Sequence, residues 1–163
     1  MDSKYGRNKK GKLSLCETCA YVGGFCQEKN LHFYRCKNYV MDALKTQVGG
    51  THYKNLPYQP VELIAKLDLN FFQGNIIKYL SRYKGKNGKE DLQKAIHYAE
   101  LANSLNVNSY VFFGENLFKE LGDYCEKNNF GKDILEILTQ VVYQNWLSSV
   151  VKICNLIKKT YND

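Results

Sequence analysis

The stretch from Gly49 to Leu105 reads GGTHYKNLPYQPVELIAKLDLNFFQGNIIKYLSRYKGKNGKEDLQKAIHYAELANSL, and its periodicity decides the fold. Lys78, Tyr79 and Arg82 follow Asn75 at three, four and seven residues, so a helix over Phe71 to Tyr83 carries all four on one polar, cationic face. Phe72, Ile76, Ile77 and Leu80 supply the apolar stripe that buries the other side. After the loop Lys84-Gly85-Lys86-Asn87-Gly88-Lys89, the spacing of Asn87 and Glu90 resembles a capping box and predicts a second helix from near Gly88 to Leu105. Its stripe is Leu92, Ala95, Ile96, Ala99 and Ala102. Asp91, Lys94 and Tyr98 share another face, which either complements Lys78 and Arg82 across a cleft or is an ordinary solvated face with intrahelical pairs. The two helices read as a hairpin whose basic, glycine-containing turn suits a phosphate.

Outward from the hairpin, Pro60 fits the first turn of a short helix carrying Val61, Leu63, Ile64 and Leu67, which Asp68 and Asn70 interrupt. Gly49 and Gly50 permit a close backbone approach, and His52 with Tyr53 adds a titratable ring and a stacking surface, although a hydrogen-bonded structural histidine reads equally well from sequence. Beyond a polar break at Asn106 to Asn108, helices are expected over 109–127, 132–146 and 147–160, with Gly131 at a boundary. They are expected to pack on the core or on a partner subunit.

The chain begins with a basic arm, residues 1–15, that buries almost nothing. Then Cys16, Cys19, Cys26 and Cys36 form a C-x2-C-x6-C-x9-C pattern within residues 16–40. A C-x-x-C turn presents two thiolates to one metal, and later cysteines can complete a tetrahedron, so structural zinc is the expected ligand. The spacing matches no standard finger; a redox cluster and unligated thiols are the other readings, and His32 is a substitute ligand. Residues 37–48 read as a linker with a turn of helix.

The fold expected from these patterns is all-α: a compact helical core at 49–106 built on the hairpin, an N-terminal four-cysteine knuckle, and a C-terminal helical extension over 107–163. With 163 residues, of which 44% are hydrophobic, a core forms without disulfide support. No apolar run reaches the roughly 20 residues that span a bilayer, and the first residues lack a signal peptide's hydrophobic segment, so no membrane partner and a cytoplasmic location are expected. The formal charge of +7 favours an anionic partner, or serves solubility alone. The chain lacks G-x4-G-K-[ST] and G-x-S-x-G, which excludes a conventional phosphate-loop kinase and a serine-elbow hydrolase. Lysine, arginine, asparagine, tyrosine and histidine beside helix-terminal amides instead suit phosphate binding with an aromatic ring against a base.

The order HY, then GN-x2-KY-x2-RY, then K-x-G-x-EDL-x-KA-x2-Y resembles the SaV-like domain of unknown function found in phages. His52, Tyr53, Gly74, Asn75, Lys78, Tyr79, Arg82, Tyr83, Lys86, Gly88, Glu90, Asp91, Leu92, Lys94, Ala95 and Tyr98 carry the resemblance, and nothing outside 49–105 shares in it. That family includes a coliphage nucleoside monophosphate kinase without the standard phosphate loop. The resemblance implies a phage protein acting on nucleotides in the infected bacterial cell. Phosphoryl transfer would then be electrostatic: Lys78 and Arg82 neutralise the moving phosphoryl group, Lys86 and the Gly88 amide grip the donor, and His52 or Asp91 orients the acceptor, unless Asp91 simply pairs with Arg82 or Lys78. Tyr53, Asn75, Tyr79, Lys94 and Tyr98 complete the expected nucleotide site, with magnesium arriving on the nucleotide. Three other readings stand beside the kinase. One is a binding protein that sequesters nucleotides or a host immune nucleotide. Another is an all-α nucleoside triphosphate pyrophosphohydrolase, for which Glu120 and Asp123 form half a magnesium site. The last is nucleic-acid binding through the arm and knuckle. A homo-oligomer is expected.

Overall fold

A computed structural model of the chain describes residues 44–108 and 116–162, together with the backbone at 21–22, 25–26 and 31–32. The chain divides into two units, Met1–Gly50 and Thr51–Asp163. In the first unit, three two-residue strands, β1 (Tyr21–Val22), β2 (Phe25–Cys26) and β3 (Leu31–His32), pair antiparallel in the order β1-β2-β3. Tyr21 lies opposite Cys26, and Phe25 opposite His32. The expected ligands Cys16, Cys19 and Cys36 lie outside the described residues, as does the Cys26 side chain, and so do the basic arm and most of the expected linker.

The described residues of the second unit are helical: α1 (Pro60–Lys66), α2 (Phe71–Arg82), α3 (Lys89–Ser104), α4 (Leu117–Lys127), α5 (Lys132–Val142) and α6 (Trp146–Tyr161). Each start has a local cause. Pro60 opens α1 with its φ already set, and the Gln59 and Glu62 side chains exchange bonds with each other's backbone. Asn70 caps α2 by accepting from the Phe72 and Gln73 amides at 3.0 and 3.1 Å. The start of α3 differs from the expected capping box. Gly88, at φ 56 and ψ −125, is its cap and no side chain bonds there. A short 3-10 turn, Tyr83–Gly85, follows α2, and the Gly88 amide donates to the Tyr83 carbonyl at 2.9 Å, so Asn87 sits inside a closed loop and cannot cap.

The hairpin stripes meet, with the expected Phe72 and Ile96 only partly buried at their margin. Ile76, Ile77, Leu80, Leu92, Ala95, Ala99 and Ala102 are fully buried. Alanines at three of these α3 positions let helices approach closely, and α3 packs against both α2 and α6, while α5 packs against α2 and α6. The C-terminal helices therefore lie on the hairpin core. Polar side chains of α2 also tie them: Gln73, fully buried, donates Nε2 to the Val141 and Val142 carbonyls at 3.2 and 2.9 Å, satisfying the end of α5, and the Ser81 and Tyr124 hydroxyls share a bond at 2.6 Å. Trp146 opens α6 instead of ending the helix expected over 132–146. Gln144 adopts a left-handed backbone, φ 59, that breaks the run, and the Trp146 indole donates to the Val107 carbonyl at 2.9 Å. The helix expected over 109–127 is described from Leu117 onward. Among the described residues no helix is long and apolar enough to cross a membrane.

Candidate functional site

The polar face of α2 meets the first turns of α3 around one aromatic ring. Tyr79 has Arg82 Cζ 4.7 Å, Lys78 Nζ 4.9 Å and Lys94 Nζ 6.0 Å from its ring centroid. Three cations on one ring are tolerated because two are neutralised. Arg82 makes a forked pair with Asp91, Nε to Oδ2 at 3.1 Å and Nη2 to Oδ1 at 3.0 Å. Lys94 pairs with Glu90 one turn earlier on α3. Lys78 donates instead to the neutral Asn75 Oδ1 at 2.8 Å, and Asn75 is held by its own bond to the Phe71 carbonyl. Among the described residues Lys78 has no carboxylate partner.

The Asp91 side chain is wholly buried and the Arg82 side chain is 11% exposed, so this pair is part of the core as well as of the site. Tyr53, arriving from the loop before α1, takes the third guanidinium bond, Arg82 Nη1 to the phenol oxygen at 3.0 Å. Arg82 is thus fixed between the Tyr53 and Tyr79 rings, and its charge serves as a fixed wall. Asp91, expected either to orient an acceptor or to pair, pairs. Behind Tyr79 stand Tyr98, stacked on it at 5.8 Å, and Phe71, edge-on to Tyr98 at 5.8 Å. Phe71 is 66% exposed and extends this aromatic shelf; sequence reading placed it only at a helix start, because the contact spans α2 and α3. The Glu90–Lys94 pair was legible as i, i+4 spacing.

Burial sets the protonation of the remaining groups. It pulls the Lys78 ammonium below its ordinary range, and the positive charge of Arg82 adds to the effect. His52, 4.3 Å from Tyr53 ring to ring, is lowered by burial and then by Lys86 and Arg82. Burial opposes the Arg82 charge, yet the bond to Asp91 holds it above its usual value. Tyr53 is raised by burial. The surplus at this face is positive, with Lys78 unbalanced and the exposed Lys86 of the turn near enough to act on both Lys78 and His52.

Of the eleven residues expected here, the hairpin and its approaching loop bring together His52, Tyr53, Asn75, Lys78, Tyr79, Arg82, Asp91, Lys94 and Tyr98, with Lys86 at the edge. Gly88 contributes differently from expectation: its amide is already donated to Tyr83, and it provides the shape of the turn. Glu120, offered with Asp123 as half of a magnesium site, accepts from the Tyr58 hydroxyl and pairs with Lys66. Among the described residues no group of three or more metal-ligating side chains converges.

No curated protein and no solved structure matches this chain. A family model described as a protein of unknown function, DUF3310, matches residues 48–100, the segment that contains the loop of His52 and Tyr53, all of α2, α3 as far as Glu100 and every residue of the Tyr79 cluster.

Proposed function

We propose that the protein binds a nucleotide on the α2–α3 face and transfers a phosphoryl group between nucleotides without a glycine-rich phosphate loop. The observation that carries this reading is the convergence of Lys78, Arg82 and Lys94 on Tyr79, with Lys78 lacking a carboxylate partner among the described residues. Lys78 and Lys94 take phosphate oxygens, the second by exchanging Glu90 for the ligand, and Lys86 reaches over from the turn. Arg82, held by Asp91 and Tyr53, supplies a fixed charge that needs no reorganisation as the phosphoryl group moves. The shelf of Tyr79, Tyr98 and Phe71 stacks the base. An acceptor phosphate oxygen forms the new bond to phosphorus as the donor's bridging oxygen leaves, and His52, packed on Tyr53 beside the cluster, orients the acceptor. Magnesium belongs to the nucleotide and supplies charge neutralisation there.

One observation favours a second reading, in which the site only sequesters its nucleotide. Asp91, the one carboxylate aimed into the cluster from α3 and wholly buried, is fully engaged with Arg82. The pyrophosphohydrolase gains no such support, since Glu120 is already bonded to Tyr58 and Lys66. The phage setting, the cytoplasm of an infected cell, self-association and a structural zinc on Cys16, Cys19, Cys26 and Cys36 belong to the same proposal and rest on sequence. Incubating the protein with nucleoside mono- and triphosphates plus magnesium, and separating the products, tests it. New diphosphate is the expected result. Intact bound ligand selects sequestration, pyrophosphate selects hydrolysis, and neither binding nor turnover overturns the proposal.

A further inference from the structure

The turn that closes the hairpin is joined to the far end of the chain. Gly88, at φ 56, lies against α6 so tightly that a Cβ there would stand 3.1 Å from the Tyr161 hydroxyl. The last turn of α6 carries Lys158 and Lys159, and the hairpin turn carries Lys84, Lys86 and Lys89. The Tyr161–Gly88 contact therefore assembles lysines from two distant segments at one end of the unit. Lys159 is balanced by Asp133 of α5 at 2.7 Å. Lys84, whose ammonium lies 5.9 Å from the Tyr83 ring, Lys86 and Lys158 have no carboxylate partner among the described residues, and all three are exposed. Such a surface differs from the Tyr79 cluster, where two of three cations are neutralised and all are partly covered.

A cationic surface of this kind fits anions of three classes, and its apolar content separates them. A membrane-surface site interleaves lysine with exposed large apolar side chains that enter the lipid. None of the exposed large hydrophobic residues described falls within 83–90 or 155–162; they lie at Phe71, Leu101, Leu105, Phe118 and elsewhere. An acidic protein partner would be expected to bury an apolar centre inside the charged rim, and none is offered here. A phosphate backbone asks only for spaced cations on a rigid frame. We infer that the end of the unit formed by the Tyr83–Lys89 turn and the last turn of α6 is a docking surface for the phosphate backbone of a nucleic acid, read without base contacts. Of these lysines Lys86 is shared with the proposed nucleotide site, while Lys84 and Lys158 belong to this surface alone, so a test on those two lets either reading fail without the other.

The test is fluorescence anisotropy of a labelled single-stranded DNA oligonucleotide with the full chain over a series of salt concentrations, comparing wild type with the double variant Lys84→Ala/Lys158→Ala. Each lost phosphate contact removes about 0.7 from the slope of log affinity against log salt for a single strand, so the double variant should be shallower by about 1.4. The variant Lys84→Arg/Lys158→Arg should keep the wild-type slope. An unchanged slope in the alanine variant overturns the inference, as does an equal loss in the arginine variant or preferential binding of wild type to phosphatidylserine vesicles. Lysine acetylation read by mass spectrometry on the wild type gives a check that needs no variant: bound oligonucleotide should protect Lys84 and Lys158 severalfold, and equal labelling with and without it would count against the surface.

Discussion

Arg82 is where folding and site chemistry meet. A guanidinium this buried is stable only because Asp91 satisfies two of its bonds and Tyr53 a third. Removing one partner leaves the other charge buried and unpaired. Asp91→Ala is predicted to lose about 3–5 kcal/mol in urea unfolding, whereas the joint replacement Arg82→Met/Asp91→Leu should cost clearly less than either single change. Equal losses in single and double variants would show that the pair is not coupled. His52 offers a second test. Its folded pKa is depressed, so the folded chain takes up a proton less readily than the unfolded one; stability is therefore unaffected above the ordinary value of 6.5 and declines as pH falls below it. A bound phosphate must push the same pKa upward. Titration of the His52 ring by NMR should give a value below 6.5 in the free protein and a higher one with nucleotide, and no movement on binding would place His52 outside the site. The residue types of the cluster were legible because they recur at helical spacing. The pairing that consumes Asp91 was foreseen only as an alternative, since which of two cations a carboxylate chooses depends on the crossing of α2 and α3.

At the scale of elements, the hairpin was the most readable part of the chain. Its stripes from Ile76 to Leu80 and from Leu92 to Ala102 carry the period of a buried helix face, and the helices fall where that period puts them. Its closure was misread, because Asn87 and Glu90 have the spacing of a capping box while the backbone bond from Gly88 to Tyr83 removes Asn87 from the capping position. Gly88→Ala is predicted to destabilise by about 1–3 kcal/mol, from the positive φ and from the encounter with Tyr161. Combining it with Tyr161→Ala should relieve only the second part, which thermal unfolding of the three variants can separate. Gln73 could not have been identified from sequence: a glutamine on the inner face of α2 reads as a flaw in the stripe until α5 supplies two carbonyls for it. Replacing it with leucine should cost about 1–3 kcal/mol, measured by urea unfolding, because the end of α5 is left unsatisfied. A change within half a kcal/mol would show that water replaces the bond.

Across the whole molecule, the core and the Tyr79 cluster lie in the unit Thr51–Asp163, while the four cysteines lie in Met1–Gly50. The spacing of those cysteines carries the zinc expectation, and metal analysis of the purified chain is predicted to find one zinc per chain, released when a mercurial reagent titrates the thiols. Metal-free protein with reactive thiols would contradict it. That α3 and α6 pack against each other was open in the sequence, which allowed the C-terminal helices to cover either the core or a partner; in the structure α6 lies along the alanine stripe of α3 and its Trp146 bonds Val107. The central claim is that an anionic nucleotide is gripped by the unbalanced cation on the α2 face. It is tested most directly by calorimetric titration of nucleoside phosphates into wild type and Lys78→Met, a substitution that keeps the apolar stem and removes the charge. The account predicts binding to wild type and at least a tenfold loss in the variant, equivalent to about 1.4 kcal/mol. Equal affinities in the two proteins would contradict it.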